Sequence, residues 1–219
     1  MRVGCPLPDG RRSAIGLLLA TACAAFAADG PKVIYSKSFP GSVPAYVVVS
    51  VQKDGAVSYN ESTDADNAEN FKLEPAVVAS VFDYAQKLEH FNRTLESGLK
   101  VANMGAKTLR WEDGKDASEA KFNYSQDEGA NKLVDVFEAI AESERLFIQL
   151  KRSIRFDKLG VNDALLGINV LYNQKRLMGT PQYLPLFDRI AKDESFLHIA
   201  RERAAVLGDA VRAAQEKAQ

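Results

Sequence analysis

The run from Ala130 to Asp157 holds neither glycine nor proline, and that uninterrupted stretch constrains the fold more than any other feature of the chain. Leu133, Val136, Ile140, Phe147, Leu150 and Ile154 recur in it at spacings that place them on one stripe of a helix. Asn131, Asp127 and Ser125 are the residues able to cap its start. The chain before this helix reads as mixed strand and helix, and the chain after it reads as helix. The long helix is therefore expected to be a beam joining two halves.

In the first half, Val33-Ile34-Tyr35 begins a strand that stops before the turn-rich Pro40-Gly41-Ser42. Val47, Val49 and Val51 alternate with Val48, Ser50 and Gln52, and Val57 and Tyr59 follow Asp54-Gly55. A three-residue loop, Lys53-Asp54-Gly55 with Gly55 left-handed, pairs Val51 with Val57 and Val49 with Tyr59. That register gathers the apolar residues on one face. Thr63 to Asn70 reads as a solvated loop. Glu74-Pro75 opens a helix whose buried face is Val78, Val81, Phe82, Ala85 and Leu88, ending near His90-Phe91. A second hairpin turns at Asp113-Gly114. Pairing Trp111 with Asp116 there puts Leu109, Ala120, Phe122 and Tyr124 on one face, and Gly105 marks a bulge.

Beyond Gly160, a helix from Val161 to Met178 carries Ala164, Leu165, Ile168 and Leu171, and Gly179-Thr180-Pro181 breaks it. A short helix from Pro185 to Ala191 follows. The last runs from Ser195 to Ala214, with Phe196, Ile199, Ala200, Leu207 and Val211 inward. The expectation is an α+β fold: an antiparallel sheet of two hairpins in β-β-α-β-β-α order, followed by a helical C-terminal extension. The boundaries read as residues 1–27, 28–150 and 151–219, the last continuing from the long helix.

Residues 1–27 read as a signal peptide. Arg11-Arg12 precede an apolar run from Ala14 to Ala22, and Ala25, Ala27 and Ala28 frame a small-x-small cleavage site. That run is too short to anchor the chain across a bilayer. The expected destination is the bacterial periplasm or exterior, with no transmembrane segment in the mature chain. Ala20-Thr21-Ala22-Cys23 offers an alternative, lipidation at Cys23 and a membrane tether. Cys5 and Cys23 both precede Ala28, so a chain cleaved there has no thiol nucleophile, thiolate metal site or disulfide. Its charge, 25 basic against 28 acidic residues, is net −3. Residues 28–130 carry 11 basic and 16 acidic, and residues 131–219 carry 14 and 12. So mild a dipole gives no footprint for nucleic acid.

The run Pro44-Ala45-Tyr46-Val47-Val48-Val49 with Asp54-Gly55-Ala56-Val57-Ser58-Tyr59 resembles a family of exported bacterial domains of unknown function. Their opening hairpin reads Cys-Pro-x-Tyr-x-Val and then Asp-Gly-x-Val-x-Tyr. The likeness covers residues 38–145, with Val43 where the family's cysteine stands. What it implies is the architecture, and no activity.

The chemistry-bearing residues are dispersed. His90 follows a helix as a dipole or cap partner, and His198 sits between Leu197 and Ile199, each without a second histidine at ligand spacing. Asp64, Asp66 and Glu69 resemble a calcium loop but lack its central glycine and distal glutamate, which favours a hydrated loop. Glu112, Asp113 and Asp116 cluster at a hairpin tip, where open water leaves carboxylates unperturbed. Lys151, Arg152, Arg155 and Lys158 read as a charged helix end complementing the macrodipole. Tyr46, Tyr59, Trp111, Phe122 and Tyr124 read as one wall of a core, with the lining of a sugar or peptide groove as the alternative that exposure would separate. With no phosphate loop, nucleophile elbow or nucleotide fingerprint, no catalytic, cofactor or metal residue is assigned. The expected function is a non-catalytic binding or interaction module with a protein partner in the cell envelope. The alternatives are a hydrolase assembled from scattered carboxylates such as Asp83, Glu89 and Glu112, and a lipoprotein scaffold.

Overall fold

The computed structural model describes Met1, residues 30–62 and residues 67–218. The expected cleavage site at Ala25, Ala27 and Ala28, the lipidation residue Cys23 and the Asp64–Asp66 loop lie outside them. Four strands come first: β1 (Lys32–Ser38), β2 (Tyr46–Gln52), β3 (Ala56–Asn60) and β4 (Glu69–Lys72). The helix α1 (Pro75–Lys87) separates them from β5 (Ala106–Asp113) and β6 (Asp116–Phe122). The long helix α2 (Glu128–Phe156) then leads to α3 (Gly160–Asn173), α4 (Leu184–Lys192) and α5 (His198–Ala218). The fold is α+β with a helical C-terminal part.

All six strands form one antiparallel sheet in the order β4-β3-β2-β1-β5-β6. β1 lies between the two hairpins and zips them into one layer. Tyr35 faces Val49 on one side and Leu109 on the other, and Val33 faces Val51 and Trp111. Strand alternation puts these on a single face, which α1 and α2 cover. The opposite face, with Ile34, Ser36, Ser50, Ser58 and Thr108, is half-buried. The first hairpin has the expected register, Val51 with Val57 and Val49 with Tyr59, closed by Gly55 at φ +87°.

Five expectations need correction. The end of the expected Thr63–Asn70 loop is strand: Glu69 and Asn70 open the edge strand Glu69–Lys72, whose one apolar residue, Phe71, gives no alternation to read. The second hairpin pairs Asp113 with Asp116 and Trp111 with Ser118, two residues from the expected register. Its turn is Gly114-Lys115, because the positive φ of +60° falls on Gly114 as the first central residue. A slip of two preserves the face, so Leu109, Ala120 and Phe122 are still buried. Gly105, at φ +93°, precedes β5 rather than bulging it. α3 ends at Asn173, not Met178. Lys175 takes φ +57°, its N–H reaches the Tyr172 carbonyl, and the Arg176 N–H reaches the Leu171 carbonyl at 2.9 Å. That pair of bonds is a Schellman stop made without glycine. Finally, α5 starts at His198, and Ile199 is 52% exposed because it falls on the outer side of that helix.

Two apolar cores share α2. Leu133, Phe137 and Ile140 belong to the sheet's core, where Phe137 stacks on Tyr35 at 5.3 Å. Leu150 and Ile154 belong to the core formed with α3, α4 and α5. Asp127 caps the helix by accepting the Ala130 N–H at 2.9 Å. Between the cores lies a polar seam. Ser143 Oγ donates to the Ala139 carbonyl at 2.8 Å and accepts the Met178 N–H at 2.9 Å. Tyr183 donates its hydroxyl to the Ser143 carbonyl, and Gln182 donates to buried Glu144 at 2.8 Å. Glu74, just ahead of α1, reaches across the seam. Its carboxylate accepts the Gly179 N–H at 3.0 Å, the Thr180 N–H at 2.7 Å and the Thr180 hydroxyl at 2.6 Å.

Candidate functional site

The apolar inner face of the sheet ends at a row containing two lysines. Lys37 stands opposite Val47 and Lys107, and Lys107 stands opposite Phe122. Alternation keeps Lys37 on the side of Val33 and Tyr35, so α2 passes over ammonium groups here. Buried cations need partners. Lys37 Nζ donates to Glu138 Oε1 at 2.8 Å, and Lys107 Nζ donates to the Asn123 carbonyl at 3.0 Å. The Tyr35 hydroxyl also donates to Glu138, at 3.3 Å. Burial, then the neighbouring Lys37, hold the Lys107 ammonium below the usual lysine range. Burial, then the Glu138 charge, push the Tyr35 phenol up.

Along the flank of α2 that leads away from this row stand Asn131, Asp135, Glu138, Glu142, Arg145, Gln149 and Arg152. The steps alternate four and three residues, which keeps all seven on one side of the helix. They line three clefts of 290, 430 and 640 Å³ that join end to end. The first two share Lys37 and Glu138, and the second and third share Glu142 and Arg145. At about 1.5 Å of rise per residue the stripe is roughly 30 Å long.

Charge changes sign along this groove. Asp135, Glu138 and Glu142 occupy the end nearer the helix N-terminus and Arg145 and Arg152 the other. Arg176 enters from the opposite wall, placed there as the last residue of the Schellman stop. The third cleft has apolar walls of Leu146, Ile148, Val170 and Leu171. Gly167 leaves room for the Leu146 side chain on this wall, since a Cβ there would lie 2.9 Å from Leu146 Cδ2.

The chain matches no protein-family model and no curated protein.

The residues singled out from sequence do not share one site. Asp83 is exposed and paired with Lys87 at 2.7 Å. Glu112 lies on the outer face of the sheet, 2.7 Å from Lys32 and 2.7 Å from Arg110. The Lys32 hydrogen bond, with help from Arg110, holds its carboxyl below the ordinary range, which unfits it for giving up a proton near neutrality. Glu89 instead lines an open 560 Å³ cleft with His90, Trp111, Asp113 and Asp116. His90 is not a helix cap. It sits in a turn where Glu89, His90 and Phe91 all have positive φ, and its ring stacks on Trp111 at 4.2 Å. His198 is exposed at the start of α5, 3.2 Å from Glu202.

The basic end of α2 disperses. Lys151 pairs with Glu69 at 2.8 Å, Arg155 lies over Phe156, Lys158 lies over Phe196, and Arg152 alone joins the groove. Of the aromatic residues, Tyr59 and Phe122 are core, while Tyr124 lines the first cleft. Among the described residues no group of three or more His, Cys, Asp or Glu is placed to hold a metal ion, and no helix is long and apolar enough to cross a membrane.

Proposed function

We propose that this protein is an exported, non-catalytic binding module of the bacterial cell envelope that receives an extended segment of a protein partner in the groove along α2. The observation that carries the reading is the continuity of the three clefts. Roughly 30 Å of polar stripe accommodates about nine residues of extended chain at ~3.3 Å each. Most of its charges are paired across the groove walls, Lys37 with Glu138, Arg145 with Glu61 and Arg176 with Glu142. Such pairs suit recognition by exchange of partners better than proton transfer. Export is supported by the arginines, apolar run and alanine-framed site of residues 11–28, and by the resemblance of the first hairpin to exported bacterial domains.

The test is site-specific photocrosslinking in intact envelopes. A benzophenone at Gln149 is expected to give one protein adduct, mapped by mass spectrometry to one contiguous segment. The same probe at Lys132, outside the clefts, is expected to give none. Equal labelling from both positions, or turnover of a substrate by the purified protein, overturns the proposal.

A further inference from the structure

Resting on the groove reading above, we infer that the half of the groove beyond Glu142 is selective for an acidic segment that carries aliphatic residues between its carboxylates. Arg145, Arg152 and Arg176 carry the inference. Ion pairs outside the groove such as Lys32–Glu112 and Lys151–Glu69, and Lys37–Glu138 at the groove's other end, close to 2.7–2.8 Å. The groove arginines are held far more loosely. Among the described residues, Arg145 and Arg176 each have a single carboxylate contact, at 3.5 Å, and Arg152 has no ion pair. A guanidinium presents five N–H donors in a planar fork suited to bidentate carboxylate binding, so most of the donor capacity of these three is unused among the described residues. The apolar walls of the 640 Å³ cleft, including Leu146 and Val170, exclude a uniformly charged occupant and favour aliphatic side chains.

Spacing narrows the partner further. Arg145 and Arg152 stand two helical turns apart, about 10.5 Å along α2. A polyproline II segment repeats its side-chain direction every three residues, about 9.3 Å. Acidic residues at every third position therefore meet both guanidinium groups from one side, and the residues between them are left for the aliphatic walls. An in-register β-strand presents the same side every second residue, about 6.7 Å, and matches less well.

The experiment is fluorescence anisotropy of the purified protein with three labelled peptides, four repeats each of Glu-Leu-Pro, Gln-Leu-Pro and Lys-Leu-Pro, and with labelled laurate. The expected result is at least tenfold tighter binding of the Glu peptide than of the Gln peptide, and none of the Lys peptide. That preference should weaken as salt rises and vanish in the Arg145→Gln/Arg152→Gln double variant, whose circular dichroism should match wild type. A Val170→Trp plug of the third cleft should abolish binding altogether. Equal affinity for the Glu and Gln peptides, both lost with the plug, overturns the acidic selectivity while leaving the groove reading intact. Binding of the Glu peptide that survives the double variant overturns it too. Binding of laurate without any peptide assigns the cleft to a small aliphatic acid and overturns it, as does no binding at all. The last result, joined to absent crosslinks from Gln149, removes the groove reading as well.

Discussion

Replacing Glu74 tests how the two halves are held together. Its carboxylate accepts three hydrogen bonds from Gly179 and Thr180 at 3.0, 2.7 and 2.6 Å, across more than a hundred residues of chain. Bonds to a charged acceptor contribute about 1.5–3 kcal/mol each when desolvated. Glu74 is only half-buried, so water replaces part of what is lost, and the sum falls to about 2–3 kcal/mol for Glu74→Ala. Glu74→Gln keeps one carbonyl oxygen, enough for both Thr180 donors, but turns an NH2 group toward the Gly179 N–H. Its cost should be about 1 kcal/mol. Urea unfolding should be followed by the fluorescence of Trp111, the single tryptophan, which sits in the sheet half, and by far-ultraviolet circular dichroism, weighted to the helical half. In wild type the two curves should coincide. In Glu74→Ala they should move to lower urea and separate, and the amides of Gly179 and Thr180 should exchange faster. A Glu74→Ala midpoint within about 0.5 kcal/mol of wild type, with the two probes still superimposed, would refute the reasoning that this carboxylate couples the halves.

Three further outcomes follow from particular residues. Asp127→Ala removes the cap of α2 at the Ala130 N–H and the Arg93 ion pair, so thermal unfolding should show a loss of about 1–2 kcal/mol. Burial raises the Glu144 carboxyl above its ordinary range, with the Gln182 bond opposing. A carboxyl raised on folding contributes stability in full below its unfolded value and loses it as pH rises through the folded one. Glu144→Gln should therefore melt higher than wild type at pH 7, with the advantage closing by about pH 4. A melting temperature at pH 7 no higher than wild type removes that argument. Intact mass of protein recovered from the envelope should show a chain beginning at Ala28; a lipidated chain beginning at Cys23 would replace cleavage with tethering.

The legible parts of the fold are those where one residue type has one use. Alternating valines before Asp54-Gly55 set a register because only one pairing collects them on a face, and Gly55 supplies the positive φ that register needs. The α2 beam reads from its apolar stripe because nothing interrupts it. Legibility fails where a position is filled by an unexpected residue. Lys175 takes the left-handed place that glycine usually holds, so the end of α3 leaves no mark and the helix reads five residues too long. β4 is invisible because an edge strand of four residues needs only one apolar anchor, Phe71.

The groove was in the sequence in a form that a search for apolar periodicity passes over. Asn131, Asp135, Glu138, Glu142, Arg145, Gln149 and Arg152 repeat in steps of four and three as regularly as the buried stripe beside them. On an exposed helix flank such a stripe has no consequence, because side chains in water need no common partner. What turns it into a site is the opposing wall, and that wall is assembled from distant pieces. Lys37 arrives because β1 is central in the sheet, Glu61 because the first hairpin closes where it does, and Arg176 because α3 stops early at a residue that is not glycine. Each of these depends on pairing or termination that local spacing does not encode. The clefts lie where the apolar face gives way to two lysines: Lys37 meets α2 through an ion pair with Glu138, and Lys107 is held by the Asn123 carbonyl. A polar heptad on a long helix with two buried flanks is thus a mark worth reading for itself, since it is the flank on which the proposed partner segment would lie.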